Sequence, residues 1–111
     1  MNKILLLLIL AFSTTAFSQN IRFEGTVKDT VGVGLEMANI MAINQQTKAM
    51  DAYAITNETG KFILNLKANT EYIIKAGYIG YAPFEQKITT TKENQTFNIV
   101  LSNSNTIETV E

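Results

Sequence analysis

The stretch FEGTVKDTVGVGLEMANI, residues 23–40, decides the fold. Phe23, Gly25 and Val27 fall on one face, Glu24, Thr26 and Lys28 on the other, and Ile21 and Arg22 carry the pattern back. A period of two sends successive side chains to opposite faces of an extended chain, so residues 21–28 read as a half-buried strand. Asp29 then opens a loop that runs to Gly34. An aspartate bonds to backbone farther along a turn, and Gly32 and Gly34 admit positive φ. Residues 35–43, LEMANIMAI, form a mostly apolar run with weak alternation. Its length and flanking turns predict a strand buried on both faces, with a short helix as the open alternative.

Outward from this stretch the same period recurs. NQQTK, residues 44–48, is a polar hairpin loop, and residues 49–55 form a short strand. TNETGKFILNL, residues 56–66, is a turn followed by a core strand. Asn57 and Gly60 supply the turn chemistry, and Phe62, Leu64 and Leu66 point inward. Residues 67–70 are a loop, and residues 71–77 place Tyr72, Ile74 and Ala76 on one face. Gly77, Gly80 and the only proline, Pro83, make residues 77–83 a corner or bulge. Residues 84–89 put Phe84 and Ile88 inward, and residues 96–101 do the same with Phe97, Ile99 and Leu101. About seven short strands with turn signals between them predict an all-β fold, a single antiparallel Greek-key β-sandwich. No stretch carries the length and 3.6 periodicity of a helix.

Upstream, MNKILLLLILAFSTTAFSQN has Lys3 followed by an apolar run, Ile4 to Phe12, and small residues at Ala16 and Ser18. This is the pattern of a secretory signal peptide over residues 1–18, cleaved after Ser18. Nine apolar residues fall far short of the ~20 that a membrane-spanning helix needs. The expected organisation is a signal peptide at 1–18, one domain at 19–101 and a C-terminal linker or tail at 102–111. Formal net charge is −1, and loss of Lys3 with the leader makes it −2. So weak and mixed a charge argues against nucleic acid or anionic lipid as a partner. Cysteine is absent, so the exported domain stands on its hydrophobic core alone.

The chemistry available is narrow. With no His and no Cys, the usual base at neutral pH, the thiol nucleophile and the common zinc and copper donors are all missing. The serines, at 13, 18, 102 and 104, have no imidazole to activate them. Gly32-Val33-Gly34 lies between strands without a following helix, which argues against a phosphate loop. Asn57, Glu58 and Thr59 supply oxygens that suit a calcium ion, and equally a polar turn. Glycosidase chemistry needs two acids across a cleft, whereas the acids here mostly alternate with apolar residues on outer strand faces, the pattern of a solvated sheet surface. Lys28 and Asn98 lie on the first and last strands, where some exported sandwiches form a Lys–Asn cross-link. Both are out of phase with the core residues beside them and are expected to face water, where the amine stays protonated. No catalytic residue, metal ligand or cofactor is expected. Tyr78 and Tyr81 in YIGYAPF are the candidate ligand or partner contacts, and filling of the corner by large rings is the competing reading.

Three of these motifs, in order, resemble the carboxypeptidase regulatory-like domain, a transthyretin-like β-sandwich. The first comprises Gly25, Val27, Asp29, Gly32, Gly34, Ala38, Asn39 and Ile40. The second is Thr56, Asn57, Gly60 and Phe62, with Asn57 where the family pattern has Asp. The third is Tyr78, Gly80 and Tyr81. The family's proline after the first turn is absent. The resemblance covers residues 21–101 and implies a non-catalytic module. In Bacteroidetes such a domain often begins a TonB-dependent outer-membrane receptor, followed by a short acidic β segment that TIETVE, residues 106–111, loosely resembles. A chain of this length has no room for a plug and barrel, so transport by this chain alone is not expected.

The resemblance therefore implies a non-enzymatic accessory or interaction module of the cell envelope, exported to the periplasm or the outer membrane. Its partner would be a protein, with membrane association only through that partner. The alternative is a carbohydrate- or peptide-binding module built on the Tyr78/Tyr81 corner.

Overall fold

A computed structural model describes residues 19–103, and the leader and most of the tail expected from the sequence lie outside them. The strands are β1 (Asn20–Lys28), β2 (Asn39–Asn44), β3 (Met50–Ile55), β4 (Lys61–Lys67), β5 (Glu71–Gly77), β6 (Phe84–Thr89), β7 (Gln95–Thr96) and β8 (Ile99–Val100). They form two sheets. One has the order β4-β1-β7, with β8 also on β1, and the other runs β3-β2-β5-β6. The period-two reading holds: Ile21, Phe23 and Val27 on β1, Phe62, Leu64 and Leu66 on β4, and Tyr72, Ile74 and Ala76 on β5 are all buried. These close on Ile40, Ala42, Ile99 and Leu101 as one core, the arrangement that lets two half-apolar sheets leave water together. No helix of the described residues is long and apolar enough to cross a membrane.

Three expectations need correction. The run 35–43 becomes a strand only from Asn39. Thr56 intervenes, its hydroxyl donating to the Leu35 carbonyl and accepting the Ala38 N–H. Backbone groups held this way do not join a ladder, and the chain turns through Met37 at φ 71°. Nor is β2 buried on both faces. Ile40 and Ala42 are covered by the opposite sheet, whereas Met41 and Ile43 on the outer face are only half-buried, since a two-layer fold covers one face of each sheet. The final strand is split as well. Asn98 Oδ1 accepts the Thr26 N–H at 3.2 Å and the Thr26 hydroxyl at 3.1 Å, and this side-chain contact sits between β7 and β8. That makes eight strands among the described residues, and the sandwich they form is antiparallel except here. β7 and β8 run parallel to β1, because the chain returns from β6 to the end at which β1 began.

The register defines two ends. Lys28, the loop to Ala38, the turn after Ile55 and the corner after Gly77 share one end. Asn20, the loop after Asn44, Lys67, Glu71 and Thr89 share the other. Below they are the loop end and the polar end.

Candidate functional site

At the loop end the motif residues close on one another. Asp29 Oδ1 accepts the N–H groups of Val31 and Val33 at 3.0 and 2.9 Å. Asn57 Oδ1 accepts those of Thr59 and Lys61, at 3.0 and 2.9 Å, together with the Thr59 hydroxyl. The two loops then lock through backbone. Val27 N–H donates to the Gly60 carbonyl at 2.7 Å, and Leu35 N–H to the Val27 carbonyl at 2.9 Å. Gly34 permits this approach, since a Cβ there would stand 2.1 Å from the Thr59 carbonyl oxygen. Of the oxygens that the sequence offered to calcium, Asn57 Oδ1 is thus engaged by three donors as a turn cap. Gly25 serves the last strand in the same way, because a Cβ there would stand 1.7 Å from the Phe97 carbonyl oxygen.

The tyrosine corner belongs to this end. Tyr78 and Tyr81 meet edge to face, with centroids 5.4 Å apart and planes at 69°. Both rings are half-buried and pack on the core. Their turn is closed by Tyr81 N–H on the Tyr78 carbonyl, and Ala82 N–H donates to Ser102 beyond it. The turn presents Ile79, 94% exposed, to solvent. Val31, at 81%, and Met37, at 68%, protrude from the neighbouring loop. Lys28 and Asn98 both face water, as their phase predicts. The Asn98 amide is occupied by Thr26.

The polar end holds a cleft that the sequence did not reveal. Asn20, Asp51, Asn65, Lys67 and Tyr72 line a volume of about 230 Å³. Tyr72 is a core residue whose hydroxyl emerges here. It donates to Asp51 Oδ2 at 2.9 Å and accepts the Lys67 N–H at 3.1 Å. Asn44 Nδ2 donates to the same carboxylate oxygen at 3.1 Å. The amide of Asn44, helped by the Tyr72 hydroxyl and the Lys67 charge, holds the Asp51 carboxyl below its ordinary range despite some desolvation. Burial first, then the carboxylate beside it, pushes the Tyr72 phenol above its ordinary range. Both groups therefore keep their ordinary charge state at neutral pH, one an anion and one neutral, and neither is poised for proton transfer there. The available signal was Tyr72 itself, because a tyrosine on a core face needs a hydrogen-bond partner for its hydroxyl.

Comparison with known proteins places this geometry in context. The family described as the carboxypeptidase regulatory-like domain matches residues 22–102. The TonB-dependent receptor SusC of Bacteroides thetaiotaomicron is 38% identical over 87 residues, covering 77% of this chain and 8% of the receptor. The chain thus spans a small fraction of that relative's length. Among solved structures, catechol 1,2-dioxygenase from Acinetobacter sp. ADP1 superposes with a TM-score of 0.63 at 11% identity, over 81% of this chain and 54% of its own. The TIE protein of Bacillus anthracis gives 0.60 at 19% identity, over 77% of this chain and 17% of its own. The C-terminal domain of shaft pilin SpaA from Lactobacillus rhamnosus GG gives 0.57 at 14% identity, over 78% of this chain and 99% of its own. Likenesses this remote in sequence establish a shared sandwich and nothing about chemistry.

Proposed function

The chain belongs to the carboxypeptidase regulatory-like domain family, and from that premise we propose that it is a non-enzymatic interaction module of the cell envelope, the N-terminal domain of a TonB-dependent receptor system. The observation that carries this reading is the 38% identity to a TonB-dependent receptor across 77% of the chain. The geometry is consistent with it. The polar motif residues Asp29 and Asn57 are spent on closing turns, and the loop end presents aliphatic side chains to solvent. That combination suits a surface for protein contact. In this reading residues 1–18 are the export signal, the domain begins at Gln19, residues 102–111 link it onward, and it reaches the membrane only through its partner.

Two experiments test the proposal. Reading the coding DNA past the codon for Glu111 is expected to show, in frame or after a single shift, a plug and alternating amphipathic strands. A stop followed by unrelated sequence would overturn the receptor assignment. Cell fractionation with N-terminal sequencing is expected to find the protein in the periplasmic or outer-membrane fraction, beginning at Gln19. A cytoplasmic product that retains Met1 would overturn export.

A second reading takes Tyr78 and Tyr81 as contacts for a carbohydrate or peptide, favoured by the exposed Ile79 between them. It requires Tyr81→Ala to abolish binding while leaving the unfolding midpoint nearly unchanged. A drop of more than about 2 kcal/mol in stability would instead assign the ring to packing.

A further inference from the structure

We propose that the cleft at the polar end binds a small zwitterion of the α-amino acid class, its ammonium on Asp51 and its carboxylate on Lys67. The proposal stands on the geometry of the cleft and does not depend on the receptor assignment.

The cleft begins with a fault in a ladder. β2 and β3 pair Ala42 with Ala52 and Ile43 with Met50, so Asp51 is passed over as the extra residue of a β-bulge. A bulge releases one side chain from the alternation of its strand and re-aims it. Here the carboxylate turns to Asn44 and Tyr72, both of which donate to Oδ2. Neither partner is loose. The Tyr72 ring is buried in the core, and Asn44 Oδ1 accepts the N–H groups of Gln46 and Thr47. One oxygen therefore anchors the group, while Oδ1 receives no donor among the described residues. A charge fixed by its neighbours and left with an open oxygen is what a binding site needs.

The opposite wall comes from the other sheet. Asn20 and Lys67 are register partners on β1 and β4, and Asn65 stands two residues before Lys67, on the same face of β4. None of these three side chains has a hydrogen-bond or ion-pair partner among the described residues. The Lys67 ammonium is near enough to help depress the Asp51 carboxyl. The one ion pair among the described residues, however, joins Lys87 to Glu71. Two opposite charges thus line one cleft without closing on each other.

This lining selects its ligand. An anion alone is repelled by Asp51 and a cation alone by Lys67, so each loses on one wall part of what it gains on the other. A molecule with both charges a few atoms apart pairs with both walls. The Asn20 and Asn65 amides have N–H donors to add beside Lys67 for its carboxylate. A sugar has hydroxyls for the same amides, but the one aromatic ring in the lining, that of Tyr72, is buried and offers no face to stack on. The volume of about 230 Å³ lies below the ~300–1,000 Å³ of pockets for drug-sized ligands, which suits a single small amino acid.

Glycine, the smallest such zwitterion, is the probe. Titrated into the isotope-labelled, unaltered chain, it is expected to shift the side-chain amide resonances of Asn20 and Asn65 saturably, with a Kd of about 1–10 mM for so open a cleft. At matched ionic strength methylammonium and acetate, with one charge each, and glycerol, with none, are expected to bind at least about tenfold more weakly. Lys67→Met, a change at an exposed position, should weaken glycine binding at least about tenfold with the thermal midpoint kept. Asp51→Asn keeps an oxygen for Asn44 and Tyr72, removes the charge, and should weaken it as much. Absence of saturation by about 100 mM glycine would overturn the proposal. So would glycerol or either singly charged probe binding as well as glycine, or Lys67→Met binding glycine as the parent does.

Discussion

The two ends of the sandwich are closed by opposite means. The loop end depends on side chains that are missing. Gly34 and Gly60 let backbone approach backbone, and a Cβ at either would fall within 3 Å of a carbonyl oxygen. The polar end depends on side chains that are present. The Thr90 hydroxyl donates to the Lys67 carbonyl at 2.6 Å and accepts the Thr70 N–H at 2.9 Å, and the Tyr72 hydroxyl joins Lys67 to Asp51. Thr56 is the loop end's exception, a buried hydroxyl that does there what Thr90 does opposite. The difference teaches where the fold tolerates change. At the loop end the outward side chains Val31, Met37 and Ile79 take no part in closing the loops, whereas the glycines cannot gain a Cβ without moving backbone. At the polar end surface and scaffold are the same residues.

The sharpest way to break this contrast is Gly34→Ala. It is expected to cost about 3 kcal/mol or more in urea unfolding, because rigid backbone must move to admit the methyl group. Gly32→Ala serves as its control. No heavy atom lies within 4 Å of that Cβ, and only the positive φ of 92° resists it, so about 1 kcal/mol is expected. Equal losses at the two glycines would mean that conformation, and not close approach, holds the loops.

Next in size are the paired hydroxyls. Thr56→Val and Thr90→Val each strand one backbone N–H and one carbonyl in buried surroundings, and each is expected to lower stability by about 2 kcal/mol. A loss at Thr90 much smaller than at Thr56 would mean that water reaches the polar end and replaces the hydroxyl. Tyr72→Phe is expected to cost about 1 kcal/mol, since the ring stays in the core and only its polar contacts are lost.

Smallest is a pH effect. The Asp51 carboxyl is depressed in the folded state, so its contribution is present above its unfolded value and fades as pH falls through the folded one. The gap in thermal midpoint between the parent and Asp51→Ala is expected to close over that acidic window. A gap unchanged into strong acid would remove the charge from the explanation. Tyr72 has the opposite sign. Its phenol is raised, so its contribution is present below the unfolded value and is lost as pH rises through the folded one.

Legibility in the sequence followed the range of the forces. Strands β1, β4, β5 and β6 were readable because alternation is local, and each inward residue names its own face. The Asp29 and Asn57 turns were readable for the same reason, since the side chain bonds within four residues of itself. The break at 35–38 was hidden because its cause, Thr56, lies 18 residues beyond Ala38. The split between β7 and β8 was hidden because Asn98 meets Thr26 at a separation of 72. The cleft is built from β1, β3, β4 and β5, and it exists only once β3 and β4 lie side by side in different layers.

What the sequence determined by itself was the all-β class, the inward faces, the turn chemistry and the absence of imidazole and thiol, each a property of a few neighbouring residues. Tertiary structure decided which strands pair, that β1 runs parallel to the last strands, which face of β2 stays uncovered, and that Asp51 leaves the β3 ladder to meet Asn44 and Tyr72. Those outcomes depend on how two sheets share one core and on where close backbone approach is permitted, and no short window of sequence contains both partners of such a contact.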